Sequence, residues 1–245
     1  LNAWQKLTHW SETVPIPTKV MVIGAARFAI QYAGEVNDIA IENWVYPQNR
    51  NEGFTDFAAT EKILNFFISK IGPYPYKKLA NVQSKTRFGG MENASNIFYS
   101  ENAVTGEAEQ DPLIAHEIAH QWFGNSASEA DWPHVWLSEG FATYFSNLYM
   151  EFSKGKAARA TAMAADRKQV INFHKKTPLP VVFDRIPANL LELLNINSYQ
   201  KGSWILHMLK IEIGEEAFFR GIRRYYSEFA NSNAQSSDFA RIMEA

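Results

Sequence analysis

The sequence predicts an α+β fold, a small sheet lobe followed by a mainly helical lobe. Short apolar runs broken by glycine fill residues 20–46, as strands do. A second pattern of strand, glycine loop and strand fills Leu79 to Tyr99. From Asp111 onward, apolar residues recur almost throughout at helical spacing. With 245 residues, 46% of them apolar, the chain can bury one sizeable core or two lobes.

In order, Val20-Met21-Val22-Ile23 and Phe28-Ala29-Ile30 read as strands separated by Gly24, with Gly34 breaking a later one. Asp56 to Ile71 reads as a helix stopped by Gly72-Pro73. A helix starts at Asp111, a candidate cap, with Pro112 in its first turn and Gly124 at its end. A long amphipathic helix is expected from Ser138, a candidate N-cap, to about Gly155. Ala157 to Ala165 is alanine-rich helix. The proline-rich segment Thr177 to Leu194 reads as a long loop over the site. Tyr199 to Ile213, Glu215 to Ala230 and a segment from about Asp238 complete the helical part.

The formal net charge of −2 makes no electrostatic case for nucleic acid. There are no cysteines, so neither disulfides nor thiolate ligands enter, and the redox compartment stays open. The best apolar stretch, Val20 to Ile30, is too short for a transmembrane segment and contains Arg27. The compartment stays unknown, with a soluble chain expected, cytoplasmic or else periplasmic or secreted in its parent protein. The chain begins with Leu1, which reads as a processed or excised piece.

The chemistry concentrates in His116-Glu117-Ile118-Ala119-His120. Two histidines four apart on a helix share a face and can bind one zinc ion, while Glu117 can lean over the open position as general base. A third protein ligand would leave the fourth position for water. Glu139, in the first turn of the next long helix, is the candidate. An acid there also suits the helix dipole, and without the upstream helix that would be the better reading. His134 reads as a packing or hydrogen-bonding residue, and His9, His174 and His207 have no partner pattern. Trp122, Trp132 and Trp136 are expected to pack around the metal helices.

The blocks HEIAHQWFGN at 116–125, WLSEGFATYF at 136–145 and GGMEN at 89–93 resemble the M1 family of zinc aminopeptidases, of the gluzincin type, with a fourth resembling block in Asn197-Ser198-Tyr199-Gln200-Lys201-Gly202. The resemblance runs from about Thr18 to about Phe229. It implies a thermolysin-like catalytic domain over residues 19–245, with a sheet lobe to about 110 and a helical lobe from about 111. Residues 1–18 would be a linker or the end of a preceding β-domain. It implies one zinc per chain on His116, His120 and Glu139, Glu117 as base, and Tyr199 as donor to the oxyanion. Glu92 would bind the substrate's free amine, Gly89 and Gly90 would let a peptide approach closely, and Met91 could touch its first side chain. Peptides with a free N-terminus are the implied substrates. Apart from the resemblance, an edge strand expected beside GGMEN, along Asn81 to Lys85, could pair with an extended substrate by strand addition. Flanking domains of the parent chain would pack on this one and leave exposed apolar surface where they dock. An epoxide hydrolase on the same site and a non-catalytic scaffold are the alternatives. Presence of every expected site residue argues against the scaffold.

Overall fold

The computed structural model describes residues 7–183 and 186–245. Residues 7–17 form no helix or strand, and the rest of the expected linker lies outside the described residues. The first regular pair is a hairpin of β1 (Ala29–Val36) and β2 (Ile39–Val45), antiparallel with Val36 opposite Ile39. Its two turn residues, Asn37 and Asp38, both have positive φ (49° and 64°), as a type I′ hairpin turn requires. β1 carries a bulge between Tyr32 and Gly34, whose φ of 143° suits glycine. The expected strand at Val20–Ile23 is absent. Thr18–Val20 is a 3-10 turn, and Met21, Val22 and Ile23 run on exposed outside the sheet, Ile23 at 97%. An apolar run alone does not make a strand when no neighbouring strand pairs with it.

A helix α1 (Arg50–Asp56) comes first, and the helix expected from Asp56 to Ile71 is α2 (Thr60–Lys70), with a 3-10 turn between them. Asp56 is buried at the junction, where its carboxylate accepts the backbone N–H groups of Thr105, Gly106 and Ala108 at 2.7, 2.8 and 3.0 Å. That anchors the loop leading toward the histidine helix. α2 turns Ile63, Leu64, Phe66 and Phe67 into the core. It stops at Gly72, where the Trp122 indole donates to the carbonyls of Gly72 and Pro73.

β3 (Lys78–Ser84), β4 (Gly90–Met91) and β5 (Asn96–Ser100) complete a five-stranded sheet of order β1-β2-β3-β5-β4. β3 runs parallel to β2 and β5, and β4 is antiparallel to β5. Asn81 to Ser84 is therefore interior, and the sheet edge beside GGMEN is β4 itself. The run Leu79–Val82 is buried throughout, as befits a strand covered on both faces.

α3 (Asp111–Ala119) then carries the first histidine. Asp111 makes no capping bond, because Gln110 stands at the cap and Asp111 is already helical. A short strand β6 (Ala127–Glu129) leads through a 3-10 turn into α4 (Trp136–Lys154). α4 starts before Ser138, since that turn feeds straight into the helix, and ends at Gly155 with φ 90°. α5 (Lys156–His174) and an irregular stretch follow, with residues 184–185 of the proline-rich segment outside the described ones. A π-helical turn, Asn197–Lys201, then runs into α6 (Gly202–Ile213). α7 (Glu215–Phe229), β7 (Ser232–Ala234) and α8 (Ser236–Met243) close the chain, with β7 parallel to β6. No helix among the described residues is long and apolar enough to cross a membrane. α3 and α4 pack as neighbours, pinned where the Ser146 hydroxyl donates to the Pro112 carbonyl at 2.7 Å. Trp122 and Trp136 are buried in this core, while Trp132 is half-buried.

Candidate active site

α3 brings His116 and Glu117 to the contact with α4, and His120 follows as its cap residue. Glu139 comes from the first turn of α4. The Nε2 atoms of His116 and His120 lie 3.0 Å apart, and Glu139 Oε2 lies 3.3 and 3.2 Å from them. Ligand atoms on a tetrahedral zinc with bonds of about 2.0–2.1 Å stand about 3.3 Å apart, so the triangle has the right size. Neutral imidazole nitrogens and a carboxylate oxygen crowd lone pairs together, which a cation would relieve. Glu139 Oε2 is buried with no neighbour to bond except these two imidazole nitrogens, and with both imidazoles neutral a cation would satisfy it.

The second face of His120 is already used. Its Nδ1 lies 3.1 Å from the Phe123 carbonyl and 3.1 Å from the Ser138 hydroxyl. A proton on Nδ1 donated to that carbonyl leaves the Nε2 lone pair free for a metal. Ser138, expected as an N-cap, therefore braces the His120 ring instead. Gly124 makes room for this, with φ 112°, and any Cβ there would collide with the Ser138 hydroxyl. Ser138→Ala is expected to weaken zinc affinity about tenfold, with the fold intact, in a competitive chelator titration. An unchanged affinity would remove Ser138 from the site.

Burial pulls the His120 pKa down, but the Glu139 and Glu92 carboxylates outweigh it and raise it to about 10. Burial would likewise raise Glu139, and the His120 charge instead holds it far below the usual range. His116 is pushed down, first by burial. With no metal, His120 is thus protonated near neutrality. That proton stabilises the metal-free fold fully below 6.5, and the contribution fades as pH rises through about 10. Zinc binding near pH 7 is expected to release about one proton and to tighten as pH rises. Calorimetric titration in buffers of different ionisation heat reads this, and buffer-independent heats would contradict it.

Glu117 is buried beneath β4, where a Cβ at Gly90 would overlap its carboxylate. Gly89 is different, since a Cβ there would meet Leu113 at an ordinary 3.8 Å. Burial, opposed by His120 and helped by Glu92 and Glu139, raises the Glu117 pKa well above the carboxylate range. A metal ion in the site would oppose that rise. The half-buried Glu92 sits with Glu117 and His120 so that one ligand atom of each lies within 4.8 Å of the others. Met91 stands beside it on edge strand β4.

Tyr199 lies in the π-helical turn, its ring stacked on His116 at 6.0 Å with 13° between planes. Burial first, then Glu139 and Glu92, hold its hydroxyl protonated. The turn packs on α4 where Gly140 meets Gly202: a Cβ at Gly140 would stand 2.9 Å from the Gly202 Cα. His116, His120, Glu139, Glu117, Glu92 and Tyr199 thus converge, Gly90 packs on Glu117, and Gly89 has no such packing need. His134 bonds the Ser236 hydroxyl at 2.9 Å, and His207 bonds Arg159, which also donates to the hydroxyl of the buried Tyr144 on α4. Sequence reasoning missed Ser138 as a brace for His120, and also Gln121 and Asn125, whose amides bond the Glu92 carbonyl. Two polar residues inside an otherwise apolar stretch were the available signal.

Comparison with known proteins gives the family and the fold. The peptidase family M1 domain matches residues 51–245. The chain is 27% identical to aminopeptidase M1-C of Oryza sativa subsp. japonica over 265 residues, covering 98% of this chain and 29% of that one. It is 29% identical to aminopeptidase N of Bos taurus over 253 residues, covering 92% of this chain and 26% of that one. It therefore spans less than a third of these relatives' length. Among solved structures, yeast LTA4 hydrolase superposes with a TM-score of 0.79 at 21% identity, over 88% of this chain and 35% of that one. A mutant M1 zinc metallopeptidase of Deinococcus radiodurans, bound to a Tyr-Ser-Ala substrate, gives 0.69 at 20% identity, over 89% of this chain and 48% of that one. These structures share the α+β fold of the chain. The matched domain covers most of the chain and includes the histidine pair, Glu139 and Tyr199, and the chain belongs to peptidase family M1.

Proposed function

We propose that this chain is the catalytic domain of a zinc aminopeptidase, which hydrolyses the first peptide bond of substrates with a free N-terminus. The observation that carries the reading is the His116–His120–Glu139 triangle with two further carboxylates beside it. His116, His120 and Glu139 would hold one zinc ion. Zinc there supplies Lewis-acid polarisation of a carbonyl and acidifies a water. Glu117 takes a proton from the attacking water and later delivers it to the leaving amine. The Tyr199 hydroxyl donates to the oxyanion that develops on the scissile carbonyl. Glu92 binds the substrate ammonium, which places the first peptide bond at the reacting position. The free edge of β4 offers backbone groups to an extended substrate, and Met91 on that strand is the candidate contact for its first side chain. The names of the curated relatives support the aminopeptidase activity. In the longer protein that those relatives' lengths suggest, flanking domains would cover exposed residues such as Met21 and Ile23.

Glu92→Ala is expected to lower kcat/KM on leucyl amides about 10²-fold or more, since it unpairs a partly buried ammonium. The loss on N-acetylated amides should be far smaller. Equal losses on both substrates would discredit Glu92 as the amine anchor.

A further inference from the structure

The backbone that carries Glu92 is held by the segment that carries the metal ligands. Its carbonyl accepts two amide donors, Asn125 Nδ2 at 2.6 Å and Gln121 Nε2 at 3.1 Å. Gln121 also accepts the Ser95 N–H on Oε1 at 2.9 Å, and its Nε2 donates to the Glu117 carbonyl at 3.4 Å. Both amide residues are buried, at 0% and 1% exposure. Gln121 directly follows His120 in the chain, so one side chain links a metal ligand, the base residue's backbone and the amine loop. Ser95 sits at φ 60°, so this loop holds a left-handed residue at the point where Gln121 grips it.

A substrate fixes the distance between its ammonium and its first carbonyl. The enzyme must match that distance between Glu92 and the metal, or the ammonium cannot reach Glu92 while the carbonyl is in place, and affinity falls. A loop tied only to its own strands could drift against α3. Two buried donors on the one carbonyl remove that slack.

We infer that Gln121 and Asn125 are positioning residues that fix Glu92 relative to the metal and so set the preference for free-amine substrates. The inference rests on the reading of Glu92 given above. An alternative role, in which the two amides only satisfy buried backbone, predicts lost stability and similar losses on every substrate and in every background.

The test is steady-state kinetics on leucyl amide and its N-acetylated form with the full, zinc-loaded chain, using Asn125→Ala and Gln121→Met, each alone and combined with Glu92→Ala. KM for leucyl amide is expected to rise about tenfold in each single variant, with zinc content kept and kcat changed less than about threefold. In the Glu92→Ala background the same changes should move KM less than about twofold, because the group being positioned is gone. Equal effects in both backgrounds would overturn the inference, as would a fall in kcat that tracks lost zinc. Should Gln121→Met not fold, Gln121→Glu keeps the shape and the acceptor for Ser95, and the same outcomes decide. If Glu92→Ala alone leaves the free-amine preference intact, the reading of Glu92 is what fails, and this inference falls with it. If that preference is lost but the coupling is absent, only the positioning role fails.

Discussion

Glu117→Gln is expected to lower turnover by about 10²–10⁴-fold while the chain keeps its full complement of zinc. The amide has the carboxylate's shape but cannot take the proton of the attacking water. Shape matters here because Glu117 is buried against Gly90, so a smaller or larger residue would change packing as well as chemistry. The metal should stay, since neither imidazole nor Glu139 depends on Glu117 for its place in the triangle. Kinetics and metal analysis on the same preparation check both halves. A variant that retains a tenth or more of the wild-type rate would remove Glu117 as the base.

Tyr199→Phe is the second large effect, with kcat falling about 10²–10³-fold and KM changing little. The hydroxyl is protonated, and the ring is braced against His116, so loss of one oxygen removes a donor and leaves the stack in place. An interaction made mainly with the developing oxyanion lowers kcat and kcat/KM together. An effect confined to KM would contradict the oxyanion role and make Tyr199 a substrate contact.

The α+β order and the candidate site residues were legible because each carries a local signal. His116 and His120 have helical spacing, Glu139 opens a helix, and Glu92 and Tyr199 stand in recognisable blocks. What escaped depends on partners far along the chain. Ser138 reads as a cap because serine often is one, yet its hydroxyl answers to His120, which the fold alone brings within reach. Gln121 and Asn125 bond a carbonyl about thirty residues earlier, so no periodicity marks them. Val20–Ile23 has the apolar run of a strand, but strand formation also needs a paired neighbour. Asn81 to Ser84 suited an edge until topology placed β3 between β2 and β5.

We propose that zinc and Glu92 together restrict cleavage by this chain to bonds next to a free amine. Hydrolysis of alanyl, leucyl and arginyl fluorogenic amides by the zinc-loaded chain, beside their N-acetylated forms, tests it most directly. Turnover of free-amine substrates alone is expected, lost on chelation and restored by zinc. Comparable turnover of the acetylated set, or none of either set with zinc bound, would contradict it.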